Sequence, residues 1–306
     1  MIEILLDATV RAGTPILFAT LGTIINERAG IINLGIEGLM LIGALSGFAG
    51  TYLSGSLLVG VIAAFCATML AGAIHALITV QLRGNQIVCG LALTMFGIGI
   101  TALFGRGMVG LTIDGFQRLA IPGLSQLPLV GKPFFNQDLL IYLSFVLVIA
   151  ISLFFYHTRW GLALRAIGEN PAAADTCGVA INRYRFLAVT IGSGIVGIGG
   201  AYLSLVTTPM WIENMTSGRG WIAVALVIFA SWSSYRALAG AYLFGGITAM
   251  QLRFQAMGTT VSAHLLQMLP YIFTILVLVI STVRLQKGIS QQPESLGKPY
   301  DREDRK

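Results

Sequence analysis

The side chains that could carry chemistry in this chain are few, and one of them lies inside a long apolar run. Across the predicted apolar segments Glu37 is the only carboxylate, and it follows Asn33 by one helical turn. Asn33 is suited to cap a helix N-terminus, where the helix dipole favours a nearby carboxylate. One interpretation is therefore a capped helix start neutralised by Arg28 or another arginine. The other is a gate or solute path, because ionisable groups inside a membrane are costly.

A second polar cluster comes just before a short apolar segment. It combines an acid, an amide, hydroxyls and an arginine within seven residues, and its candidates are Glu213, Asn214, Thr216 and Arg219. This composition fits an exposed loop, and equally the start of a half-helix that faces a cavity for polar solutes. Asn85 and Gln86 open another apolar run and form a weaker candidate for the path. For that pair a simple helix cap is the favoured interpretation.

Motifs for catalysis or cofactor binding are weak. The stretch 192–197 matches G-x-G-x-x-G, but it lies inside an apolar run without a βαβ unit, so helix packing is favoured over dinucleotide binding. The sequence contains no P-loop, no nucleophile elbow and no H-E-x-x-H, and its three histidines lack metal-ligand spacing. We therefore expect no catalytic residue, metal or cofactor in this chain. Basic patches without interleaved aromatic residues also argue against nucleic acid.

The elements that must position these residues are membrane helices. Of 306 residues, 56% are hydrophobic and 10% are charged, whereas a soluble domain has about 25% charged residues. Nine apolar segments approach the ~20 residues that a helix needs to cross a bilayer. They predict an all-α, polytopic bundle in which some short helices are broken or only partly spanning. The segments are Thr14–Ile25, Leu34–Tyr52, Leu57–Val80, Ile87–Phe104, Leu139–Tyr156, Phe186–Val206, Trp221–Trp232, Leu238–Leu252 and Leu266–Val283.

Charge and small residues predict the orientation and the packing of the bundle. Alternating the sides of the loops puts 13 of the 19 Lys and Arg residues on one face, which the positive-inside rule makes cytoplasmic. The N-terminus is then outside and the C-terminus cytoplasmic. Residues 1–284 form the transmembrane domain, and 285–306 are expected to be a flexible tail from their polar, alternating composition. Ser193, Gly197 and Ala201 recur every four residues and predict close helix crossing.

A polar, basic island separates two apolar segments within the cytoplasmic loop 158–185. Residues 159–167 are predicted to continue the preceding helix, and Gly168 to interrupt it. Asn170 as N-cap and Pro171 at the first helical position then predict a short projecting helix. Gly178 would end this helix, and Asn182 would cap the next membrane helix. Such a helix favours contact with a partner protein over an enzymatic site.

The island and three other blocks carry a resemblance to a known family. Residues 169–178 resemble the EAA-type coupling loop of bacterial ABC-importer permeases. Residues 26–38, 213–223 and 243–258 resemble the permease branch associated with nucleosides and simple sugars, which belongs with the branched-chain amino acid and ribose permeases. Ser231–Arg236 departs from the family pattern because it lacks a proline and an early glycine.

The resemblance implies a membrane subunit of an ATP-driven importer in the bacterial inner membrane, and no enzyme. A separate cytoplasmic ATPase would bind ATP and magnesium, an external lipoprotein would capture the solute, and a second, homologous permease would complete a heterodimer. Nucleosides are the expected cargo, with a simple sugar such as ribose as the alternative. The residues implied to contact the ATPase are Arg165, Gly168, Glu169, Asn170, Pro171, Ala172, Ala173, Ala174, Asp175 and Gly178.

Two other classes stay open at this point. An intramembrane enzyme, such as a lipid-modifying transferase, needs convergent acids or histidines at membrane depth, and the sequence offers Glu37 and His75. A secondary transporter would move its solute without any ATPase.

Overall fold

The computed structural model describes residues 2–129, 131–257, 262–286 and 292–301 of the chain. In that part of the protein the architecture is a bundle of α-helices, as the apolar segments predict. The only described strands form a two-residue antiparallel pair, β1 (Leu119–Ala120) with β2 (Asn136–Gln137). The helices are α1 (Ile2–Arg28), α2 (Ile36–Ser54), α3 (Leu57–Ala76), α4 (Gln86–Gly105), α5 (Gly131–Phe135), α6 (Leu139–His157), α7 (Arg159–Glu169), α8 (Pro171–Thr176), α9 (Ile181–Tyr202), α10 (Arg219–Phe229), α11 (Ser234–Ala256) and α12 (Ala263–Gln286).

A helix occupies each of the nine predicted apolar segments. By length and composition six of the described helices can cross a membrane, namely α1, α2, α3, α4, α6 and α9, with α3 and α9 extended by π-helical turns at Leu77–Gln81 and Leu203–Thr207. By contrast, α10 has 11 residues, which at 1.5 Å per residue reach about 16 Å. That is roughly half of the ~30 Å hydrocarbon core. The expectation of a partly spanning helix is therefore confirmed for α10.

The core forms where α9 packs on α1, α2 and α3. At two crossings the backbones touch, because glycine faces glycine. A Cβ added at Gly22 would lie 2.3 Å from the carbonyl oxygen of Gly192, and one added at Gly43 would lie 2.3 Å from that of Gly197. Small residues allow such close approach in lipid, where no hydrophobic force drives helices together. All three members of the predicted small-residue row on α9 make such contacts, since a Cβ added at Gly72 would lie 2.3 Å from Ser193 and one added at Gly47 would lie 2.9 Å from Ala201. The row is thereby confirmed.

The loops gather at two opposite ends of the bundle as the alternation of sides predicts. At one end Gly168 of α7 lies against the backbone of Arg28, close to the loops that precede α4 and α9. At the other end the N-terminal turns of α1 meet the segment between α4 and α6, where Arg118 Nη2 lies 2.9 Å from Asp7 Oδ2. Which end faces the cytoplasm stays a prediction from the charges.

The tail departs from the sequence-based expectation. α12 runs to Gln286, and residues 292–301 lie against the end of the bundle where Gly168 meets Arg28. The backbone N–H of Ser295 donates to the Gly168 carbonyl at 2.9 Å, and that of Gly297 donates to the Gly30 carbonyl at 3.1 Å. Composition cannot reveal such distant partners, so the prediction of a flexible tail is wrong for residues 292–301. The parts 287–291 and 302–306 lie outside the described residues.

Candidate functional site

The short helix α8 forms as its sequence predicts. Asn170 Oδ1 accepts a hydrogen bond from the backbone N–H of Ala173 at 3.0 Å, and Pro171 occupies the first helical turn. Proline suits this position because its missing N–H would have no intrahelical acceptor. Gly178 follows with a φ of +82°, the left-handed conformation that ends helices and that glycine adopts without strain.

One face of α8 is anchored and the other is open. Ala174 is buried against Ile167 of α7 and Ile181 of α9, whereas Ala172 and Ala173 are exposed. The exposed surface consists of small side chains, which a groove in another protein can approach closely. Glu169 and Asn170 are exposed at the corner between α7 and α8, and Asp175 is half-buried.

Three details of the loop differ from the prediction. α7 does not continue α6, because Thr158 has an extended backbone and interrupts the helix. Its hydroxyl oxygen caps α7 by accepting from the Gly161 N–H at 3.0 Å. Gly168 does not interrupt α7. It is a packing residue instead, since an added Cβ would lie 2.3 Å from the Arg28 carbonyl oxygen. Asn182 does not cap α9, which begins one residue before it.

Arg165, on the same helix, stays close to the membrane-spanning part. The centre of its guanidinium lies 4.8 Å from the centroid of the Tyr156 ring, at the end of α6. This is a cation–π contact, in which the guanidinium is attracted to the face of the ring. The contact orients α7 relative to α6.

The two polar clusters meet at Glu37, which is 4% exposed. Its Oε1 accepts from the Thr216 hydroxyl at 2.6 Å and from the Gly218 N–H at 2.8 Å, and its Oε2 accepts from the Gly220 N–H at 2.7 Å. These backbone groups belong to the N-terminus of α10, where N–H groups have no intrahelical acceptor and negative charge is favoured. We call Glu37 with residues 216–220 the Glu37 junction.

The junction lies inside the bundle, because α2 starts well away from the end of the bundle that carries α7 and α8. Residues 31–35 run along the first turns of α4. The Ile32 N–H donates to Gln86 Oε1 at 2.7 Å, and the Thr94 hydroxyl donates to the Leu34 carbonyl at 3.0 Å. Thr94 follows Gln86 by eight residues, which is about 12 Å along a helix. Two helix N-termini, of α2 and α10, therefore meet Glu37 at the depth of the third turn of α4.

The other residues of the first cluster have different roles from those predicted. Asn33 does not cap α2. Its Oδ1 accepts from the Gly35 N–H at 2.8 Å, and Gly35 itself occupies the N-cap position. Arg28 Nη2 donates to the carbonyl of Trp232 at 3.1 Å. An arginine that interacts electrostatically with Glu37 is Arg219, so the alternative of another arginine is confirmed.

In the second cluster only part of the sequence reaches Glu37. Arg219 lies at the start of α10 and donates to the carbonyl oxygens of Met215 and Thr216, each at 3.1 Å. Glu213 and Asn214 are exposed on the loop before it. The cluster is thus divided into a buried half that holds a helix and an exposed half that a solute or a partner can reach.

Asn85 and Gln86 support the interpretation as a helix start. Asn85 Oδ1 accepts from the N–H groups of Ile87 and Val88 at 3.0 and 3.1 Å, which confirms the cap. Gln86 is buried and holds the segment that leads to α2. Among the described residues, no cluster of three His, Cys, Asp or Glu side chains has the arrangement of a metal site.

A link between α1 and the segment after α10 escaped the sequence-based interpretation. The indole Nε1–H of Trp232 donates to Glu27 Oε2 at 2.6 Å, and both side chains are buried. Ser231 and Trp232 have φ values of +45° and +55°, which are strained for residues other than glycine. The departure of Ser231–Arg236 from the family pattern was the available signal. Glu27 itself was placed in a loop and not counted among the buried acids.

Asp138 is a further buried acid, which lies between two predicted apolar segments and was not among the candidates. Its Oδ1 caps α6 by accepting from the N–H groups of Leu140 and Ile141, each at 3.1 Å. The Tyr202 hydroxyl donates to its Oδ2 at 3.3 Å. Burial raises the pKa of Asp138, against the lowering effect of these hydrogen bonds. The acid joins the start of α6 to the end of α9.

The comparisons with known proteins fit this arrangement. The family model described as the permease component of the branched-chain amino acid transport system matches residues 5–281. The chain belongs to this family. The resemblance seen in the coupling loop and the polar blocks is thereby confirmed. Permeases of this family are multi-pass membrane subunits of ABC transporters, which work with an ATPase and a solute-binding protein.

Three relatives cover nearly the whole permease. The chain is 41% identical to a protein of Haloferax volcanii that is named putative glucose ABC transporter permease protein TsgC13, over 98% of each protein. It is 32% identical to the nucleoside ABC transporter permease NupC of Lactococcus lactis, over 87% of this chain and 88% of that one. It is 30% identical to the guanosine ABC transporter permease NupQ of Bacillus subtilis, over 98% and 97%. No solved structure gives a significant match.

Proposed function

We propose that this permease moves nucleosides through an ATP-driven importer in the cell membrane, the inner membrane in a bacterium. The observation that carries the proposal is α8, a capped helix with an exposed face of small residues at one end of the bundle. A projecting helix of this kind supports contact with an ATPase on that side of the membrane. The chain itself supplies no catalysis in this proposal. ATP and magnesium bind to the partner ATPase.

A continuous series of contacts leads from α8 to the interior of the membrane. α8 packs on α7 through Ala174 and Ile167, and α7 rests on the Arg28 backbone through Gly168. Arg28 and Glu27 hold Trp232, just after α10. The opposite end of α10 is held by Glu37. Closure of the ATPase dimer would therefore move α7, α1 and α10 together with α8, because these elements are packed and cannot move independently.

The partners follow from the same proposal. An external lipoprotein would capture the solute, and a second, homologous permease would form a heterodimer with this chain. The lipid-facing helices support a partner of this kind, since α3, α4 and α6 leave most of their apolar surface uncovered. Part of that surface can face lipid and part can face the second permease, and the solute path would run between the two subunits.

The nucleoside cargo is supported by two relatives whose names specify nucleosides or guanosine. The sequence blocks 26–38 and 213–223 point to the same branch. A simple sugar is the second candidate, because the relative with 41% identity is named for glucose. Both solutes are uncharged and rich in hydroxyl groups. The exposed side chains of Glu213 and Asn214 offer hydrogen-bond acceptors and a donor that suit either one.

Transport by the reconstituted complex tests the proposal. The permease is assembled in liposomes with the ATPase, the second permease and the binding protein that its gene neighbourhood encodes. Labelled guanosine, uridine and glucose are then offered with and without ATP. We expect ATP-dependent uptake of the nucleosides. Uptake of glucose without uptake of either nucleoside would identify a sugar, and not a nucleoside, as the cargo.

Two controls separate the other classes. Uptake that persists with an ATPase unable to hydrolyse ATP would identify a secondary transporter and overturn the proposal. Turnover of lipid by the purified permease alone would identify an intramembrane enzyme. Neither result is expected, because the coupling loop would then have no role.

A further inference from the structure

Residues 292–301, which we call the strap, lie across the coupling loop at the point where α7 ends. The Ser295 N–H and hydroxyl both donate to the Gly168 carbonyl, at 2.9 and 2.7 Å, and the hydroxyl also lies 3.0 Å from the Ile167 carbonyl. Carbonyls in the last turn of a helix have no intrahelical donor. The strap thus provides a C-terminal cap for α7 from a part of the chain more than a hundred residues away.

The strap also surrounds a buried arginine at the start of α9. Arg185 is 2% exposed. Its Nε donates to the Ala29 carbonyl at 3.0 Å, its Nη2 to Ser295 Oγ at 3.2 Å and its Nη1 to the Lys298 carbonyl at 3.4 Å. Two of these three acceptors belong to the strap. A buried cation whose donors lose their acceptors is strongly unfavourable, so Arg185 and the strap stabilise each other.

The end of the strap reaches α8 itself. The Tyr300 hydroxyl donates to Asp175 Oδ2 at 3.0 Å, and the Tyr300 ring packs on the cluster formed by Ile167, Ala174 and Ile181. Asp301 pairs with Arg83 in the loop before α4. The strap therefore contacts α7, α8, α9 and the approach to α4 at once.

We propose that the strap is a positioning element for coupling. A helix of six residues is not stable by itself, and α8 meets α7 at an extended corner, Asn170, with φ −142° and ψ 94°. A push on α8 alone would rotate it about this corner. With the strap in place, α8 is held to α7 and α9, so the push is passed to the bundle. This inference rests on the proposed function, since coupling requires the ATPase.

The first test uses the complete complex. Three variants of the permease are compared with the full chain: a chain that ends at residue 291, Ser295→Ala, and Glu294→Ala as the control with an exposed side chain in the same segment. Basal and guanosine-stimulated ATP hydrolysis are measured together with assembly of the four subunits. We expect the shortened chain to assemble but to lose the stimulation, Ser295→Ala to lose part of it, and Glu294→Ala to lose none. Full stimulation by the shortened chain overturns the proposal.

The second test needs no ATPase and separates the strap from the proposed function. Hydrogen exchange of the isolated permease in detergent follows the amides of Ala173–Thr176. We expect their exchange to become faster in the shortened chain while the amides of α2 stay protected, with Ser295→Ala in between. Unchanged exchange at α8 overturns the strap, whatever the complex does. If the shortened chain also exposes α2, it has not folded, and Ser295→Ala alone decides the result.

A complex of the full chain that shows no guanosine-stimulated hydrolysis would count against the proposed cargo or the proposed function. The strap would still be judged by the exchange measurement, which records only how firmly α8 is held.

Discussion

The coupling loop and the Glu37 junction both use a carboxylate or an amide to cap a helix, but they do so over different distances. In the loop, Asn170 caps a helix that begins at the next residue. In the junction, Glu37 caps a helix whose N-terminal groups follow it by 179 to 183 residues. The first arrangement is exposed to water and depends on local sequence. The second is buried and depends on the whole bundle. The difference indicates that the coupling loop is suited to contact a partner protein, whereas the Glu37 junction holds two helices of the bundle together.

The largest effect is expected from Glu37→Ala. The substitution leaves the Thr216 hydroxyl and two backbone N–H groups buried without an acceptor. Each such loss costs about 1–3 kcal/mol, so we expect a total of about 3–9 kcal/mol, a large fall in melting temperature and no transport. Thermal unfolding in detergent measures it. Thr216→Val is the matched control, because it removes a single hydrogen bond and should cost a third as much. Equal melting of Glu37→Ala and the full chain would refute the role of the junction.

The second effect concerns the coupling loop. Unlike Glu37→Ala, Ala173→Arg should stop transport without loss of stability. Ala173 is exposed, and surface substitutions usually change stability by within about 0.5 kcal/mol. The long cationic side chain would keep the ATPase from approaching α8. We expect solute-stimulated ATP hydrolysis to vanish while melting is unchanged, with Ala173→Ser as the conservative control. Normal coupling in Ala173→Arg would remove α8 from the proposed ATPase contact.

A smaller effect is expected at the connection between the two regions. Trp232→Phe removes the donor to Glu27 Oε2 and leaves that buried oxygen without it, a loss of about 1–3 kcal/mol for a buried polar group left unsatisfied. We expect lower melting and a weakened stimulation of ATP hydrolysis. A double-mutant cycle with Glu27→Gln measures the coupling energy between the two side chains. Additive effects would show that the Trp232–Glu27 contact does not join α1 to α10.

The smallest effect is expected from Asn170→Ala. Loss of an N-cap costs about 1 kcal/mol, and here it acts only on α8. We predict faster hydrogen exchange at Ala173 and a partial loss of stimulated hydrolysis, without a measurable change in global melting. Asn170→Asp keeps the accepting oxygen and should restore both. A global decrease in melting would mean that α8 contributes more to the core than its exposed face indicates.

Local signals explain most of what the sequence predicted correctly. Apolar length located a helix at all nine segments. Asn170, Pro171 and Gly178 predicted where α8 starts and ends, because a cap, a first-turn proline and a terminating glycine all act on backbone groups a few residues away. Hydrophobic patterns also grouped the loops at the correct ends of the bundle. The family resemblance rested on blocks of this local kind.

What the sequence could not predict depends on contacts between distant segments. Glu37 was assigned Asn33, and Arg28 or another arginine, as neighbours, and the two named residues are near it in the chain. Its hydrogen-bond partners lie instead in residues 216–220. The tail was expected to be flexible because its composition is polar, yet Ser295 meets Gly168 and Arg185. A charged or polar residue that satisfies a remote backbone group leaves no periodic pattern, so periodicity and composition cannot identify it.

The distance between Glu37 and its partners also affects how the protein is made. A ribosome adds about 5–20 residues per second, so the roughly 180 residues between them take on the order of 10 to 40 s to synthesise. During that interval the first helices have entered the membrane, while the acid has neither its hydroxyl nor its backbone donors. The nascent chain must keep the Glu37 carboxylate hydrated until α10 arrives. Insertion of this permease thus includes a waiting step, whose length is set by the order of helices in the gene.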